Sequence, residues 1–435
     1  MNKNIIRQFS FVLALMLMIS VFAGCQPASV PTEATQESTT KESVQAGEVS
    51  YLVKLIPQEK CEISDPVVSG MNQYAFDVMK NLYKDENMTI SPVSLELALL
   101  MTATGAKGET REEMLKSLRM NGFTDEEIFE NAKQLMWRAN QNGLHAANSI
   151  FVQKDFGLDP DFREILTKTF MAGAFEEDFI NQGDIATKNI NRWTNENTNG
   201  KIPELLGDEL TPDTRLVIVN TLYFLGKWAQ PFKSEDTNDQ VFHGTKGDNT
   251  VPFMNATLTI DYYEGKTFQY IALPFRGTED ESAKPLAMSF VLPKEGNTIQ
   301  EAFAEVQEIG FSAIIEAGAE ERVKVVIPKF EFEYGTSMVE TMKNLGMKLA
   351  FDGADFSAMT TEPVDLAISD IIHKTYIKID EEGAEAAAAT GVVVGLTAVQ
   401  DPGSMKIFIA DRPFLFSIYD TDDSVILFSG VTANI

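Results

Sequence analysis

The sequence predicts an α+β fold, with helices concentrated in the first half of the chain and strands in the second. Two patterns carry that expectation. Apolar residues recur at helical spacing early on, as in Ala75, Val78, Met79 and Leu82 within 71–83. Later the apolar residues gather into short β-prone runs, of which 216–225 is nearly all apolar, as suits a strand buried on both faces. In order, Ser91-Pro92 introduces a buried helix over 93–104, rich in Leu and Ala. An amphipathic helix follows over 110–118, with Met114, Leu115 and Leu118 on one side. A strand is expected at 147–152, a helix at 160–170, and a helix at 185–198 ended by Asn199-Gly200. Strands follow 216–225 at 269–274, 287–292, 323–327, 406–409, 414–419 and 425–428. No repeat of fixed period is visible.

The chain has 435 residues, 44% of them hydrophobic, which is ample for a large core. A net charge of −28 repels phosphate backbones and anionic lipid, so nucleic acid and polybasic membrane docking are excluded as partners. Cys25 and Cys61 cannot form a disulfide framework or a structural zinc site, so no metal or other cofactor is expected. The amino terminus has a targeting pattern. Lys3 and Arg7 precede an apolar run over 11–22, followed by Phe22-Ala23-Gly24-Cys25. Small residues before a cysteine resemble the lipobox of bacterial lipoproteins, which implies cleavage after residue 24 and lipidation of Cys25. The run is too short to span a bilayer. Residues 26–48 are rich in Ser, Thr, Pro, Glu and Gln and read as a flexible stalk. The expected organisation is a signal segment at 1–24, a lipidated cysteine and stalk at 25–65, and one globular domain at 66–435. Localisation is then extracellular, at the cell surface, with the membrane reached only through the lipid.

Catalysis is not expected. The three histidines, at 145, 243 and 373, show no paired ligand spacing. No zinc-protease helix, phosphate-cradling loop or nucleophile elbow is present. Carboxylate pairs carry no weight in so acidic a chain.

One stretch breaks the local rules. Glu381-Glu382-Gly383-Ala384-Glu385-Ala386-Ala387-Ala388-Ala389-Thr390 begins as a helix former, and an uncharged, β-branched stretch at 391–399 follows. Such a window pairs readily with other strands and is normally hidden. Pro402-Gly403 then marks a turn. Three readings compete: a helix plus core strand, a low-complexity loop, or a loop now exposed that becomes a strand later.

That stretch resembles the hinge of the reactive loop of serpins, the serine protease inhibitors. Other motifs agree in order from about residue 71 to 435: Ser91-Pro92-Val93-Ser94, Thr104-Gly105-Ala106-Lys107-Gly108-Glu109-Thr110, and Asn148-Ser149-Ile150-Phe151-Val152. Trp193-Thr194-Asn195 and Thr198-Asn199-Gly200-Lys201-Ile202 follow. Then come Asn220-Thr221-Leu222-Tyr223-Phe224-Leu225-Gly226-Lys227-Trp228, Pro231-Phe232, Ala410-Asp411-Arg412-Pro413-Phe414-Leu415-Phe416 and Ile426-Leu427-Phe428-Ser429-Gly430. The resemblance implies the serpin fold, with three β-sheets, about nine helices and an exposed reactive-centre loop over about 381–404.

It also implies a mechanism and a set of site residues. The native fold is metastable; a protease acylated by the loop is dragged along as the cut loop inserts as a new strand, serpin insertion being a known instance of strand addition. Ser91, Ser94, Asn220 and His373 match the polar cluster that holds the main sheet shut. Trp228 matches the aromatic where insertion begins, and Glu381 with Lys329 matches an ion pair at the loop's base. Glu381 to Thr390, as spelled out above, form the hinge, where alanines suit both faces of a sheet. The reactive bond falls at Thr397 and Ala398, with Leu396 or Val399 as alternatives. No Arg or Lys lies between Glu381 and Met405, so elastase-like or subtilisin-like serine proteases are the expected partners, with a cysteine protease as a further option. A monomer prone to loop–sheet polymerisation is expected. The rival is a non-inhibitory serpin-fold binding or scaffold protein at the cell surface.

Overall fold

A computed structural model of the protein describes residues 63–140, 143–207, 210–277, 286–384 and 405–435. Helix α1 (Asp65–Leu82) buries Val67, Met71, Ala75, Val78 and Met79 along one face. Strand β1 (Met88–Ile90) leads into α2 (Pro92–Ala103), every residue of which is buried. The sequence fixes the start of α2 twice over: Pro92 sits where a missing N–H leaves no bond unmade, and the Ser91 hydroxyl accepts from the Ser94 N–H at 3.2 Å. Helix α3 (Gly108–Ser117) follows as expected. Helix α4 (Asp125–Arg138) lies outside the expected elements, although its signals are in the chain. Thr124 and Glu127 form a capping box, and Ile128, Ala132, Leu135 and Met136 make a buried stripe.

Strand β2 (Leu144–Gln153), helix α5 (Pro160–Thr169), strand β3 (Gly173–Glu177) and helix α6 (Phe179–Asn197) come next. Helix α6 begins earlier than its periodicity predicts. Gln182 leaves helical backbone at φ −136°, which puts the first turn out of phase with the rest. It ends as expected, with Asn199 and Gly200 both left-handed at φ 49° and 77°. Strand β4 (Leu216–Phe224) is buried throughout, and β5 (Gly226–Lys227) continues it after one break. The hairpin of β6 (Asn238–Gly244) and β7 (Gly247–Glu264) has a mostly polar, exposed face, so no apolar run announces it.

The remainder is β8 (Phe268–Pro274), β9 (Leu286–Pro293), α7 (Ile299–Ile309), α8 (Phe311–Ala317), β10 (Ala319–Pro328), β11 (Phe330–Ser337), α9 (Val339–Asn344), β12 (Asp370–Ile379), β13 (Gly383–Ala384), β14 (Lys406–Ile409), β15 (Phe414–Asp420) and β16 (Ile426–Thr432). Nine α-helices thus lie among the described residues. Where three sheets are expected, hydrogen bonding joins the strands into two. One has nine strands in the order β1-β16-β15-β9-β8-β7-β10-β14, with β6 on β7; the other has seven, β3-β2-β4-β12-β13-β5, with β11 on β12. The 18-residue β7 causes the merger, because it pairs with β6 at one end, β10 along its middle and β8 at the other end.

The seven-stranded sheet is covered on both faces. On one, α6 sets Phe179, Ala186, Ile190 and Trp193 over Phe151, Val217, Val219 and Ile372. On the other lies the main core, to which α2 contributes Val93, Leu97 and Leu100. Burial on both faces is what permits the parallel neighbours β4 and β12 at its centre.

Candidate functional site

The seam between β4 and β12 carries the polar residues singled out in the sequence. His373 and Asn220 stand directly opposite each other across it, and Asn148 stands opposite Asn220 on β2. These three side chains form one hydrogen-bonded rung crossing three strands. The Asn220 amide donates to Asn148 Oδ1 and to Ser94 Oγ, each at 2.5 Å, and Asn220 Oδ1 lies 2.7 Å from His373 Nδ1. At the far side of the ring the Ser91 backbone N–H donates to His373 Nε2 at 3.0 Å. A backbone N–H can only donate, so Nε2 must be the acceptor and Nδ1 must carry the proton. The imidazole is therefore neutral, and burial pushes its pKa down to about 3. Ser91 Oγ reaches across to the Leu427 carbonyl at 2.9 Å, tying the rung to β16. Ser91, Ser94, Asn220 and His373 are all fully buried.

Asn148 was not among the expected site residues, although it opens the Asn-Ser-Ile-Phe-Val motif. Its signal is an asparagine in a strand whose other residues at 150–152 are apolar and fully buried; a buried amide needs partners.

At the other end the same seam is held open. Direct pairing of β4 with β12 stops at Leu222 and Thr375. Beyond it, β13 lies between the two strands' continuations: Ala384 pairs with Ile379 on β12 and with Gly226 on β5, and Gly383 pairs with Lys227. Gly383 has φ +145°, and a Cβ there would sit 2.0 Å from the Gly226 carbonyl oxygen, so only glycine fits. Gly226 is needed in turn, since a Cβ on it would meet the Phe224 ring at 2.2 Å. Ala384 is 1% exposed and belongs to the main core.

Around this wedge the expected base residues come together. Trp228 is 1% exposed and stacks on Phe275 at 4.5 Å, and its indole N–H donates to the Asp380 carbonyl at 3.0 Å. The Trp228 and Phe232 backbone N–H groups donate to the carbonyls of Glu382 and Glu381, each at 2.9 Å. Lys329 Nζ lies 2.8 Å from Glu381 Oε2, and Thr237 Oγ1 donates to Glu381 Oε1 at 2.9 Å. Burial works against the charged carboxylate here, but Lys329, the backbone and Thr237 outweigh it and hold the pKa below the usual range.

The hinge residues Glu385, Ala386, Ala387, Ala388, Ala389 and Thr390, the bond residues Leu396, Thr397, Ala398 and Val399, and Cys25 lie outside the described residues. Of the other histidines, His145 stacks on Tyr223 at 4.6 Å and His243 meets Asp248 at 2.8 Å on the β6–β7 hairpin. Among the described residues no group of His, Cys, Asp and Glu could hold a metal, and no helix is long and apolar enough to cross a membrane.

A family model described as Serpin (serine protease inhibitor) matches residues 69–435. A serpin-like protein of Thermococcus kodakarensis is 35% identical over 374 residues, covering 85% of this chain and 86% of its own. Serpin48 of the insect Tenebrio molitor, described as a highly specific serpin, superposes with a TM-score of 0.75 at 30% identity, over 85% of this chain and 98% of its own. The thermophilic serpin tengpin in its native state gives a TM-score of 0.78 at 28% identity, over 88% and 98%. By sequence and by fold, the chain belongs to the serpin family of serine protease inhibitors.

Proposed function

We propose that the protein is a suicide-substrate inhibitor of serine proteases, not itself an enzyme, which traps its target when the cut loop inserts between β4 and β12. The observation that carries this reading is the register of the wedge. Continuing the antiparallel pairing of Ala384 with Ile379 and Gly226, residue 393 falls opposite both Asp370 and Val217, which are already partners across the closed seam. A strand can therefore zip in along the whole seam without β4 sliding past β12; the strands need only part sideways by one strand spacing, ~4.8 Å. In the same register Thr390 falls between Asn220 and His373, where a hydroxyl can replace the bond that insertion breaks.

Insertion through residue 397, about fourteen residues at ~3.3 Å each, carries an attached protease ~45 Å. The target's own nucleophile attacks the Thr397–Ala398 bond, or a neighbour at Leu396 or Val399, and the acyl bond then travels with the loop. These small or apolar residues suit the shallow pockets of elastase-like and subtilisin-like enzymes. The amino-terminal targeting pattern supports a location outside the cell, with lipid on Cys25 as the tether.

Incubation of the protein with subtilisin and with an elastase tests the reading. A denaturation-resistant covalent complex, a fragment mapping the cut to 396–399, and a cleaved form that melts well above the intact one are expected. Clean cleavage with no complex overturns inhibition and leaves a non-inhibitory serpin.

A further inference from the structure

Strand β14 is the first described element after the bait segment, and one of its faces is unlike the rest of this acidic surface. Phe408 turns inward and is fully buried, while Lys406 lies 5.2 Å over the Tyr262 ring and 3.9 Å from Glu264. The alternate residues turn out. Met405 is 39% exposed and Ile407 is 52% exposed, the highest value among the large hydrophobics that the structure leaves in solvent. Across the sheet Ile407 stands beside Lys324 on β10, and Lys324 beside Thr257 on β7, so three exposed side chains form one row. Arg322 and Thr259 form the adjoining row at the level of Met405, and Glu320 opposite Asp261 bounds the patch on that side.

Two features set this face apart from ordinary surface. Edge strands are normally protected by charge, yet β14, last in its sheet among the described residues, presents Ile407, with Met405 exposed just before it. Among the described residues, neither Arg322 nor Lys324, which stand beside them, forms an ion pair, in a chain of net charge −28. The bait loop says what covers it. From Ala398 to Met405 the chain reaches at most about 25 Å, whereas a protease domain of ordinary size is ~40 Å across. A protease clasped on the bond is thereby held within reach of the strand that follows, closer than its own diameter.

We propose that the exposed face of β14 and β10, centred on Ile407, Lys324 and Arg322, is a secondary docking site for the target protease. It selects targets whose surface beside the active site carries an apolar patch edged by carboxylates. This rests on the inhibitory reading above. Its contribution falls on the association rate, because exposed cations steer encounter more than they hold a complex.

The test uses the full chain and whichever of subtilisin or elastase gives the covalent complex with wild type. Ile407→Ser and the double variant Arg322→Glu/Lys324→Glu are compared by second-order rate of complex formation at low and high salt, with Tm as the check on folding. The proposal expects unchanged Tm and stoichiometry, a roughly tenfold slower rate for the charge variant at low salt, and a flattened salt dependence. Rates within twofold of wild type, with complex still forming, overturn the docking site alone. So does dimerisation in sedimentation that Ile407→Ser abolishes without changing the rate, since the occupant is then a second copy. Absence of any complex with wild type overturns the inhibitory reading as well.

Discussion

The top and the centre of one seam, formed by the same two strands, are treated in opposite ways. At the centre β4 and β12 pair directly, and a buried rung of Asn148, Asn220 and His373 bonds side chain to side chain across them. At the top the strands diverge around Gly383 and Ala384, and the rim is held by Trp228, Lys329 and Glu381. The top is small and apolar, with Gly383 and Ala384 already paired between the two strands; the centre is polar, and the proposed insertion must unmake it. On the proposed mechanism, the difference teaches where a barrier to insertion can be placed. A polar rung is strong while every member is paired and costly once one is not, so it behaves as a latch rather than a slope.

The largest effect is expected from Ala384→Arg, which attacks the top. Ala384 is fully enclosed, and burying a guanidinium there without a partner costs at least several kcal/mol. The wedge should unseat, the loop should become a plain substrate, and covalent complex should vanish from gels while cleavage continues. Because β13 is only two residues long, the intact protein should keep its fold and near-UV spectrum. Complex formation at the wild-type level would show that insertion does not start at this wedge.

Breaking the centre should act in the reverse sense. Asn220→Ala leaves the His373 ring N–H, Ser94 and Asn148 short of a partner, each lost partner costing ~1–3 kcal/mol. The native form should lose thermal stability and convert spontaneously to an inserted, inactive or polymeric state, followed as loss of inhibitory activity over hours. A native lifetime equal to wild type would mean that the rung does not hold the seam.

The contrast between the two ends was unequally legible in the sequence. At the top the resemblance named Gly383, Ala384, Trp228, Lys329 and Glu381, and the close approach of the Gly383 and Gly226 backbones is the physical reason for the glycine. At the centre the resemblance supplied the cluster of Ser91, Ser94, Asn220 and His373, but no local pattern points to Asn148, which joins them only because the β2–β4 register sets it opposite Asn220. Asn148 was missed for that reason. The long buried runs that became β4, β8, β9 and β15 were legible because burial on both faces leaves no alternation to confuse. The β6–β7 hairpin and β11 were not, since strands with an exposed face carry half the apolar signal. The merging of sheets through β7 is a matter of length and pairing that composition does not encode.

Between pH 6.5 and 5, mild acid should weaken the centre and leave the top alone, since Glu381 titrates below that window. His373 is neutral in the closed sheet with its pKa near 3, whereas a histidine freed by opening titrates near 6.5. As pH falls below 6.5 the open state takes up a proton that the closed state refuses, so the closed state loses ~1.4 kcal/mol per pH unit until about pH 3. Protonated Nε2 would also face the Ser91 N–H donor to donor. Spontaneous conversion should therefore quicken between pH 6.5 and 5, and the acceleration should be absent in His373→Gln. An identical pH profile in that variant would assign the effect to the carboxylates instead.

The smallest effect belongs to the rim. Lys329 and Glu381 meet at 2.8 Å, but the lysine side chain is 36% exposed, and a pair so open to solvent is worth no more than about 1 kcal/mol. Glu381→Gln keeps the bond to Thr237 and removes only the charge. The folded carboxyl titrates below its usual range, so its contribution is present at neutral pH and fades as pH falls through that lowered value. Expected are a Tm lower by a degree or two at pH 7, no difference from wild type in strong acid, and a loss of the small salt dependence that the pair confers. Inhibition should persist, because the Trp228 and Phe232 backbone N–H groups still hold the carbonyls of Glu382 and Glu381. A collapse of inhibition in Glu381→Gln would place the latch at the rim rather than the centre, and the asymmetry between the two ends of the seam would have to be drawn the other way round.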